Sequence, residues 1–231
     1  MQDSLNGSDG WRTDPMYTFS EAAHLARVSP GTVRNWLRGY TAGDREVPPL
    51  FPARGDQRAM VSFLELVEIV VAARFRKAEH KSFPTVRRAY EYARKEFGLD
   101  FPFAHLRLGA IGGHIVHYIR GDASVSSFRA MDEPHQWTLP GLVQEVMEEQ
   151  LYYDERKLAA RWYPVGKAVP IVVDPQFSAG APTIEGRGVT VRTIFKRWKD
   201  GNLSMDFIAT DFQLDRIQVE LACKYAEKIA A

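Results

Sequence analysis

The chain has 231 residues, of which 45% are apolar and 26% are charged, and its formal net charge is +1. This composition is typical of a globular protein with a packed core, and the length suits one large domain or two to three small ones. Because no run of about 18 apolar residues occurs and the N-terminus is polar, we expect no membrane-spanning helix, anchor or secretory signal.

The single cysteine indicates the redox compartment, and the distribution of charge indicates how roles are divided along the chain. One cysteine, Cys223, excludes an intrachain disulfide and fits a reducing cytoplasm. Residues 17–95 contain 14 Lys and Arg against 8 Asp and Glu, whereas residues 131–160 contain 7 acidic residues against 2 basic ones. A basic N-terminal part and an acidic middle part indicate separate roles.

Residues 1–15 are predicted to form a flexible tail, and two short helices follow. Thr18 and Glu21 form the T-x-x-E pattern of a capping box, which begins the first helix. Ser29 caps the second helix, with Pro30 at its first position, where a missing N–H costs no hydrogen bond. Two helices joined by a turn of three or four residues predict a helix-turn-helix.

A small hairpin is predicted after the second helix. The segment 40–60 is rich in proline and turn residues, and Gly55 and Asp56 form a turn signal flanked by Leu50, Phe51 and the pair Met60–Val61.

Two longer helices are predicted behind this hairpin. Ser62 and Glu65 form a second capping box, and the helix that they begin has a broad apolar stripe. The next helix runs from about Pro84 to Phe97. Helix, turn, helix, hairpin, helix is the order of a winged helix, which we assign to residues 16–100.

The rest of the chain is predicted to contain a connecting segment and a third unit. Residues 101–168 are expected to mix strands and helix, and residues 142–153 have the pattern of an acidic amphipathic helix. Residues 169–231 contain a short strand, a Gly/Pro-rich turn region and three helices, the last two capped by Ser204 and Asp215. No internal repeat is evident. The expected fold class is mainly α with small β elements, with a C-terminal helical, helix-turn-helix-like domain.

The second short helix has residues on its outward face that are suited to reading DNA. Val33, Trp36 and Leu37 recur at helical spacing and share the buried face, which leaves four polar residues outside: Thr32, Arg34, Asn35 and Arg38. The major groove admits one helix, and arginine and asparagine make bidentate hydrogen bonds to guanine and adenine. Three arginines on or near the predicted hairpin suit phosphate contacts, as in a wing: Arg45, Arg54 and Arg58. The alternative is a solvated surface helix.

Residues 17–40, YTFSEAAHLARVSPGTVRNWLRGY, resemble the N-terminal DNA-binding domain of MerR-type regulators. The matching residues are Tyr17, Thr18, Glu21, Ala22, Ala23, Leu25, Val28, Ser29, Thr32, Val33 and Arg34. The resemblance implies that residues 32–38 lie on the reading helix and that a homodimer binds operator DNA with an inverted repeat. The long dimerisation helix of the effector-sensing members is not visible after residue 98.

The C-terminal unit, over about residues 170–228, resembles a small domain of unknown function catalogued as number four-three-three. The matching residues are Asp174, Pro175, Gly180, Pro182, Ile184, Gly186, Val191, Gly201, Ser204, Ile208, Asp211, Phe212, Leu214, Val219, Tyr225 and Ala226. Arg187, between two glycines, departs from the Gly-Thr-Arg of many members. Such domains occur in bacterial antitoxins.

Together, the two parts are similar to the larger VapB-type antitoxins. This resemblance implies a protein that represses its own operon and neutralises a VapC-like PIN-domain ribonuclease toxin. Such a ribonuclease holds a divalent cation with carboxylates, which an arginine can block by bidentate pairing. The residues expected to contact the toxin are Arg187, Arg192, Phe195 and Trp198. The alternative is that this charge cluster only keeps a small domain in solution.

No catalytic residues, cofactor or metal site are expected. The Gly-rich turn at residues 180–188 lacks both the spacing and the lysine of a phosphate loop. A third hypothesis, an enzyme that uses this turn, would require bound nucleotide. His114 and His117 lie three residues apart on a predicted strand and point to opposite faces, so they cannot chelate one metal.

The alternative function is a stand-alone MerR-like regulator that responds to a small molecule. That function needs an apolar pocket in the aromatic middle of the chain, near Trp137, Tyr152 and Tyr153.

Overall fold

The computed structural model describes residues 10–51, 60–79, 83–106 and 146–230. Over these residues the chain is mainly helical with small two-stranded sheets, as predicted from the sequence. None of the helices in these ranges combines the length and the hydropathy that crossing a lipid bilayer requires.

The described residues of the N-terminal part form five helices and four short strands. They are α1 (Gly10–Thr13), β1 (Tyr17–Thr18), α2 (Phe19–Ala26), α3 (Pro30–Arg38), β2 (Tyr40–Ala42), β3 (Arg45–Val47), β4 (Met60–Val61), α4 (Phe63–Glu79) and α5 (Phe83–Phe97). β1 pairs antiparallel with β4, and β2 with β3. Both predicted capping boxes are present, because the amides of Thr18 and Ser62 each donate to the carboxylate three residues later, at 2.8 Å.

The hairpin of this region lies earlier than the sequence predicts. β2 and β3 form it around Gly43, whereas the predicted turn at Gly55 lies outside the described residues. Met60–Val61 pairs with β1 instead of with a hairpin partner. Leu50 and Phe51 are not strand residues. Their side chains are buried, and their amides both donate to the Trp36 carbonyl of α3, at 2.8 and 3.1 Å.

Part of the tail that the sequence predicts over residues 1–15 is helical. Residues 10–13 form α1, which packs against α4. Arg12 is buried, and its guanidinium pairs with Asp154 and lies over the Trp11 ring, 4.3 Å from the centroid. Residues 10–15 therefore contribute to the fold.

A connecting part joins the N-terminal part to the C-terminal unit. Its described elements are a 3-10 turn (Pro102–Ala104), a π-helical turn (Val146–Gln150), β5 (Leu151–Tyr153) and β6 (Ala159–Trp162). β5 and β6 pair antiparallel, so the helix predicted over residues 142–153 is wrong for its last three residues. The strand forms there because Leu151 and its partner Trp162 are both buried, while Tyr152 is exposed.

The C-terminal unit contains two short strands and three helices. Its elements are β7 (Ile171–Val172), a 3-10 turn (Ser178–Gly180), β8 (Thr183–Ile184), α6 (Val191–Lys199), α7 (Met205–Phe212) and α8 (Arg216–Ala230). β7 pairs antiparallel with β8. The predicted helix starts at Ser204 and Asp215 are confirmed, since Ser204 Oγ accepts from the amide of Phe207 and the Asp215 amide donates to Gln218 Oε1.

Two hydrophobic cores meet at β7. The first surrounds α4 and extends from Tyr17 to Val173, and the second lies among α6, α7 and α8 and includes Ile171. Trp162 and Val173 exchange two main-chain hydrogen bonds of 3.0 and 2.8 Å. The Pro/Gly-punctuated segment between β6 and β7 is therefore anchored at both ends.

Candidate functional site

α3 has one face in the core and one face toward solvent, as the sequence predicts. Ser29 Oγ accepts from the amide of Thr32 at 3.0 Å and so caps the helix. The buried residues are Val33, Trp36 and Leu37. The other face holds the four predicted DNA contacts, of which two are half-buried and two exposed: Thr32, Asn35, Arg34 and Arg38.

The polar groups on the exposed face of α3 differ in the contacts that they make within the chain. Thr32 Oγ1 lies 2.9 Å from Ser29 Oγ, so both hydroxyls stand at the helix start, where main-chain amides suit a phosphate. The Arg38 guanidinium lies 5.9 Å from the centroid of the Phe19 ring. Arg34 has no ion-pair partner among the described residues, so its guanidinium is available to a ligand.

A series of aromatic contacts supports α3 from behind. The Trp36 and Phe51 rings meet edge to face with centroids 6.3 Å apart, and Phe51 and Tyr90 with centroids 5.1 Å apart. Tyr90 then meets Phe103 at 5.2 Å. These contacts connect α3 to α5 and to the first core, so the exposed face is presented by a rigid element.

The β2–β3 hairpin follows α3 directly, as a wing does. Gly39 joins them with φ +74°, and a Cβ at this position would lie 2.5 Å from the Val47 carbonyl oxygen. Only glycine therefore fits at the junction of α3 and the hairpin. Arg87 of α5 donates to the Pro49 carbonyl at 2.6 Å and holds the base of the hairpin. Arg45 is exposed on β3. The two other predicted phosphate contacts, Arg54 and Arg58, lie outside the described residues.

The predicted partner contact Arg187 is exposed at the tip of a tight turn after β8. Its amide donates to the Ile184 carbonyl at 3.1 Å, and the flanking Gly186 and Gly188 have φ of +73° and +68°. A Cβ at either glycine would meet nothing within 4 Å. The left-handed backbone of the turn, and not a close contact, is therefore the reason for glycine on both sides of the arginine.

A polar cluster fixes the base of this turn. Tyr163 Oη donates to Glu185 Oε1 at 2.7 Å, and Arg161 Nε lies 2.9 Å from the buried carboxylate of Asp174. Arg161 Nη1 is also 3.8 Å from Glu185 Oε1. Burial and the hydrogen bond to Glu185 raise the pKa of the Tyr163 hydroxyl. Glu185, which precedes the Gly-Arg-Gly tip, is thus held in place by Arg161 of β6 and by Tyr163, which follows β6.

The three other predicted partner contacts lie on α6 and differ in exposure. Arg192 is exposed, whereas Phe195 and Trp198 are half-buried against the second core, with ring centroids 5.8 Å apart. Lys199 Nζ covers one side of the Phe195 ring at 5.2 Å. The aromatic pair therefore contributes to the core, and the arginines are the accessible members of the predicted set.

A contact that the sequence gave no reason to expect joins the C-terminal unit to the start of the helix-turn-helix. Tyr17 Oη donates to the Gly180 carbonyl at 3.0 Å, in a turn where Ser178, Ala179 and Gly180 all have positive φ. Burial raises the pKa of the Tyr17 hydroxyl well above its ordinary value. The pattern Gly-x-Pro marks a turn at this point, but no local pattern names a partner so distant in sequence.

The residues considered for a ligand pocket, a reactive thiol or a metal site do not form a common site among the described residues. Tyr152 is exposed beneath the Arg161 guanidinium, and Tyr153 is half-buried, while Trp137, His114 and His117 lie outside the described residues. Cys223 is buried, and burial raises its thiol pKa to about 11. Within the described ranges, no group of three His, Cys, Asp or Glu side chains is arranged to hold a metal ion.

Comparisons with known proteins find similarity over most of the chain and a family model that matches the C-terminal unit. The uncharacterized protein Rv2308 of Mycobacterium tuberculosis is 27% identical over 228 residues, which cover 92% of this chain and 90% of the relative. The X-ray crystal structure of Rv2018 from Mycobacterium tuberculosis matches with a TM-score of 0.72 at 21% identity, over 91% of this chain and 99% of that one, and so shares its fold. Residues 171–226, from β7 into α8, match the family model of DUF433, a protein of unknown function.

Proposed function

We propose that this chain is a cytoplasmic, DNA-binding repressor of its own operon and the antitoxin of a VapC-like PIN-domain ribonuclease. In this proposal a MerR-like winged helix, built from α2, α3 and the β2–β3 hairpin, binds operator DNA as a homodimer. The C-terminal unit binds the toxin, as in VapB-type antitoxins, and the protein acts by binding and not as an enzyme.

The observation that carries the DNA-binding half is the exposed face of α3. Arg34 and Arg38 stand in solvent beside Asn35, on a helix whose opposite face is fixed by Trp36. Arginine and asparagine are the side chains that read guanine and adenine in the major groove. A purely solvated helix would not require the wing that follows at Gly39, with the exposed Arg45 on its second strand.

The antitoxin half is supported by the way Arg187 is presented. An arginine that blocks an acidic, metal-binding cup must extend beyond its surroundings and must not be neutralised within its own chain. Arg187 is exposed at the tip of a fixed turn and has no ion-pair partner among the described residues. The exposed Arg192 on α6 supplies a second cation in the same unit.

Co-expression with the neighbouring toxin gene tests the proposal. The full chain is expected to restore growth and to co-purify with the toxin. Arg187→Glu is expected to weaken both more than Lys228→Glu, a matched reversal of another exposed charge, on α8. If the two reversals have the same effect, Arg187 is not the blocking residue. If the wild type neither binds the toxin nor restores growth, the chain is not its antitoxin, and the small-molecule regulator becomes the better hypothesis.

A further inference from the structure

The exposed side of α6 carries a row of three cations. Arg192, Lys196 and Lys199 recur at intervals of four and three residues, so they lie in one stripe along about 10 Å of the helix. All three are exposed, and the buried Ile194 lies on the opposite side of the helix. No acidic residue occurs in residues 186–199. We name these three cations the α6 stripe.

The cations of the α6 stripe are not neutralised by the described part of the chain. None of the three has an ion-pair partner among the described residues. Arg197, the fourth cation of α6, differs because it pairs with Asp211 and lies over the Phe212 ring, 4.6 Å from the centroid. Lys199 Nζ lies 5.2 Å from the centroid of the Phe195 ring, a contact that leaves its positive charge in place. The stripe therefore presents a charge of +3 to solvent.

Charge is segregated in the C-terminal unit, although the unit as a whole is neutral. Residues 169–231 contain eight Lys and Arg and eight Asp and Glu, yet five of the eight basic residues fall within residues 187–199. α8, by contrast, mixes the two signs, as the 3.0 Å ion pair of Arg216 with Glu220 shows. Solubility alone requires no such segregation. A row of cations without acids complements a row of anions, and the phosphate backbone of a nucleic acid is such a row.

The α6 stripe lies within reach of the duplex that α3 is proposed to bind. α6 packs on α8, α8 packs on α2, and α2 packs on α3. The hydrogen bond from Tyr17 to the Gly180 carbonyl also fixes the C-terminal unit to the start of the helix-turn-helix. Because packed helices lie about 8–10 Å apart, three such steps place α6 at most about 30 Å from α3. At about 3.4 Å per base pair, this distance corresponds to about nine base pairs.

We propose that the α6 stripe binds the phosphate backbone of duplex DNA outside the base pairs that α3 reads. The proposal rests on the proposed function for the operator but not for the duplex as such, since phosphate contacts carry no sequence information. It assigns a role to Lys196 and Lys199, which the proposed function leaves without one, and it gives Arg192 a second ligand besides the toxin. The C-terminal unit then contributes affinity for DNA, while α3 contributes the base preference.

Fluorescence anisotropy of the full chain on a long scrambled duplex, at several salt concentrations, tests the proposal. Each phosphate contact adds about 0.9 to the salt slope, so Lys196→Ala with Lys199→Ala is expected to lower the slope by about 1.8 and to weaken binding at least about tenfold at about 0.1 M salt. Lys224→Ala with Lys228→Ala is the matched control, because it removes two exposed lysines from α8 and changes the net charge equally. A wild type that does not bind the duplex, an unchanged slope in the stripe variant, or an equal fall in the control would overturn the proposal.

Toxin binding by the same variants separates this proposal from its alternative, in which the partner of the stripe is an acidic surface of the toxin. The stripe variant is expected to keep its affinity for the toxin, whereas Arg187→Glu is expected to lose affinity. A loss of toxin binding in the stripe variant, with an unchanged salt slope, would assign the stripe to the toxin and contradict the proposal. Preference for the promoter over the scrambled duplex tests the repressor proposal separately, because it depends on α3 and not on the stripe.

Discussion

Replacing Gly180 by alanine tests how tightly the C-terminal unit is packed against the start of the helix-turn-helix. A Cβ at Gly180 would lie 2.1 Å from Tyr17 Oη and 2.4 Å from Met16 Sδ. Neither neighbour is at the free end of an exposed side chain, since Tyr17 is buried and Met16 is packed against the first core. The alanine therefore forces β1 and the turn apart.

Three effects set the magnitude of the loss. The φ of +69° at Gly180 costs an L-residue about 1–2 kcal/mol. Displacing Tyr17 breaks the hydrogen bond to the Gly180 carbonyl and leaves buried groups unpaired, which costs about 1–3 kcal/mol. Overpacking costs about 1–3 kcal/mol. Because the last two effects overlap, we expect the free energy of unfolding to fall by about 3–6 kcal/mol.

Gly186→Ala is the matched control for this substitution. Gly186 has φ +73°, and a Cβ there would meet nothing within 4 Å, so only the backbone cost of about 1–2 kcal/mol applies. Tyr17→Phe isolates the hydrogen bond without a clash. Urea unfolding followed by tryptophan fluorescence measures all three variants. If Gly180→Ala and Gly186→Ala lose the same stability, the contact is not tightly packed and the reasoning is refuted.

Three further predictions concern DNA binding, pH and thiol reactivity. Arg34→Ala is expected to cost about 1–3 kcal/mol of operator binding and to relax one base preference, whereas Arg45→Ala weakens all sequences alike and lowers the salt slope by about one, as fluorescence anisotropy at several salt concentrations will show. Burial raises the Asp154 pKa, but Arg12 and nearby amides lower it by more. The contribution of Asp154 to the free energy of unfolding is therefore present above its unfolded pKa of about 3.9 and lost as the pH falls through the lower folded value. The stability advantage of the wild type over Asp154→Asn should accordingly disappear when unfolding is measured in acid. An advantage that persists at the lowest pH contradicts this. With its pKa raised to about 11 by burial, Cys223 should react with iodoacetamide at pH 8 only as urea unfolds the chain; fast labelling of the folded protein contradicts its placement.

Local patterns were sufficient to predict most helix starts in this chain. The capping residues Thr18, Ser29, Ser62 and Ser204 each satisfy an amide within three residues, and such a bond depends only on the adjacent sequence. The buried face of α3 followed in the same way from helical spacing. These features are local, so one sequence contains the information needed to find them.

The features that the sequence did not indicate depend on residues far apart in the chain. β4 pairs with β1 rather than with its neighbour, because its partner is chosen by the packing of α2 on α4. The hairpin was misplaced because Leu50 and Phe51, which look like strand residues, pack behind Trp36. The C-terminal helix-turn-helix-like unit was expected, because the caps at Ser204 and Asp215 are local.

One titration tests most directly the proposal that α3 reads operator DNA. The full chain is titrated onto its own promoter and onto a scrambled duplex at one fixed salt concentration. The wild type is expected to bind the promoter at least about 1,000-fold more tightly than the scrambled duplex. The combined variant Arg34→Ala, Asn35→Ala and Arg38→Ala is expected to bind both duplexes at the scrambled level. Promoter binding that survives in the combined variant would contradict the assignment of α3 as the reading helix.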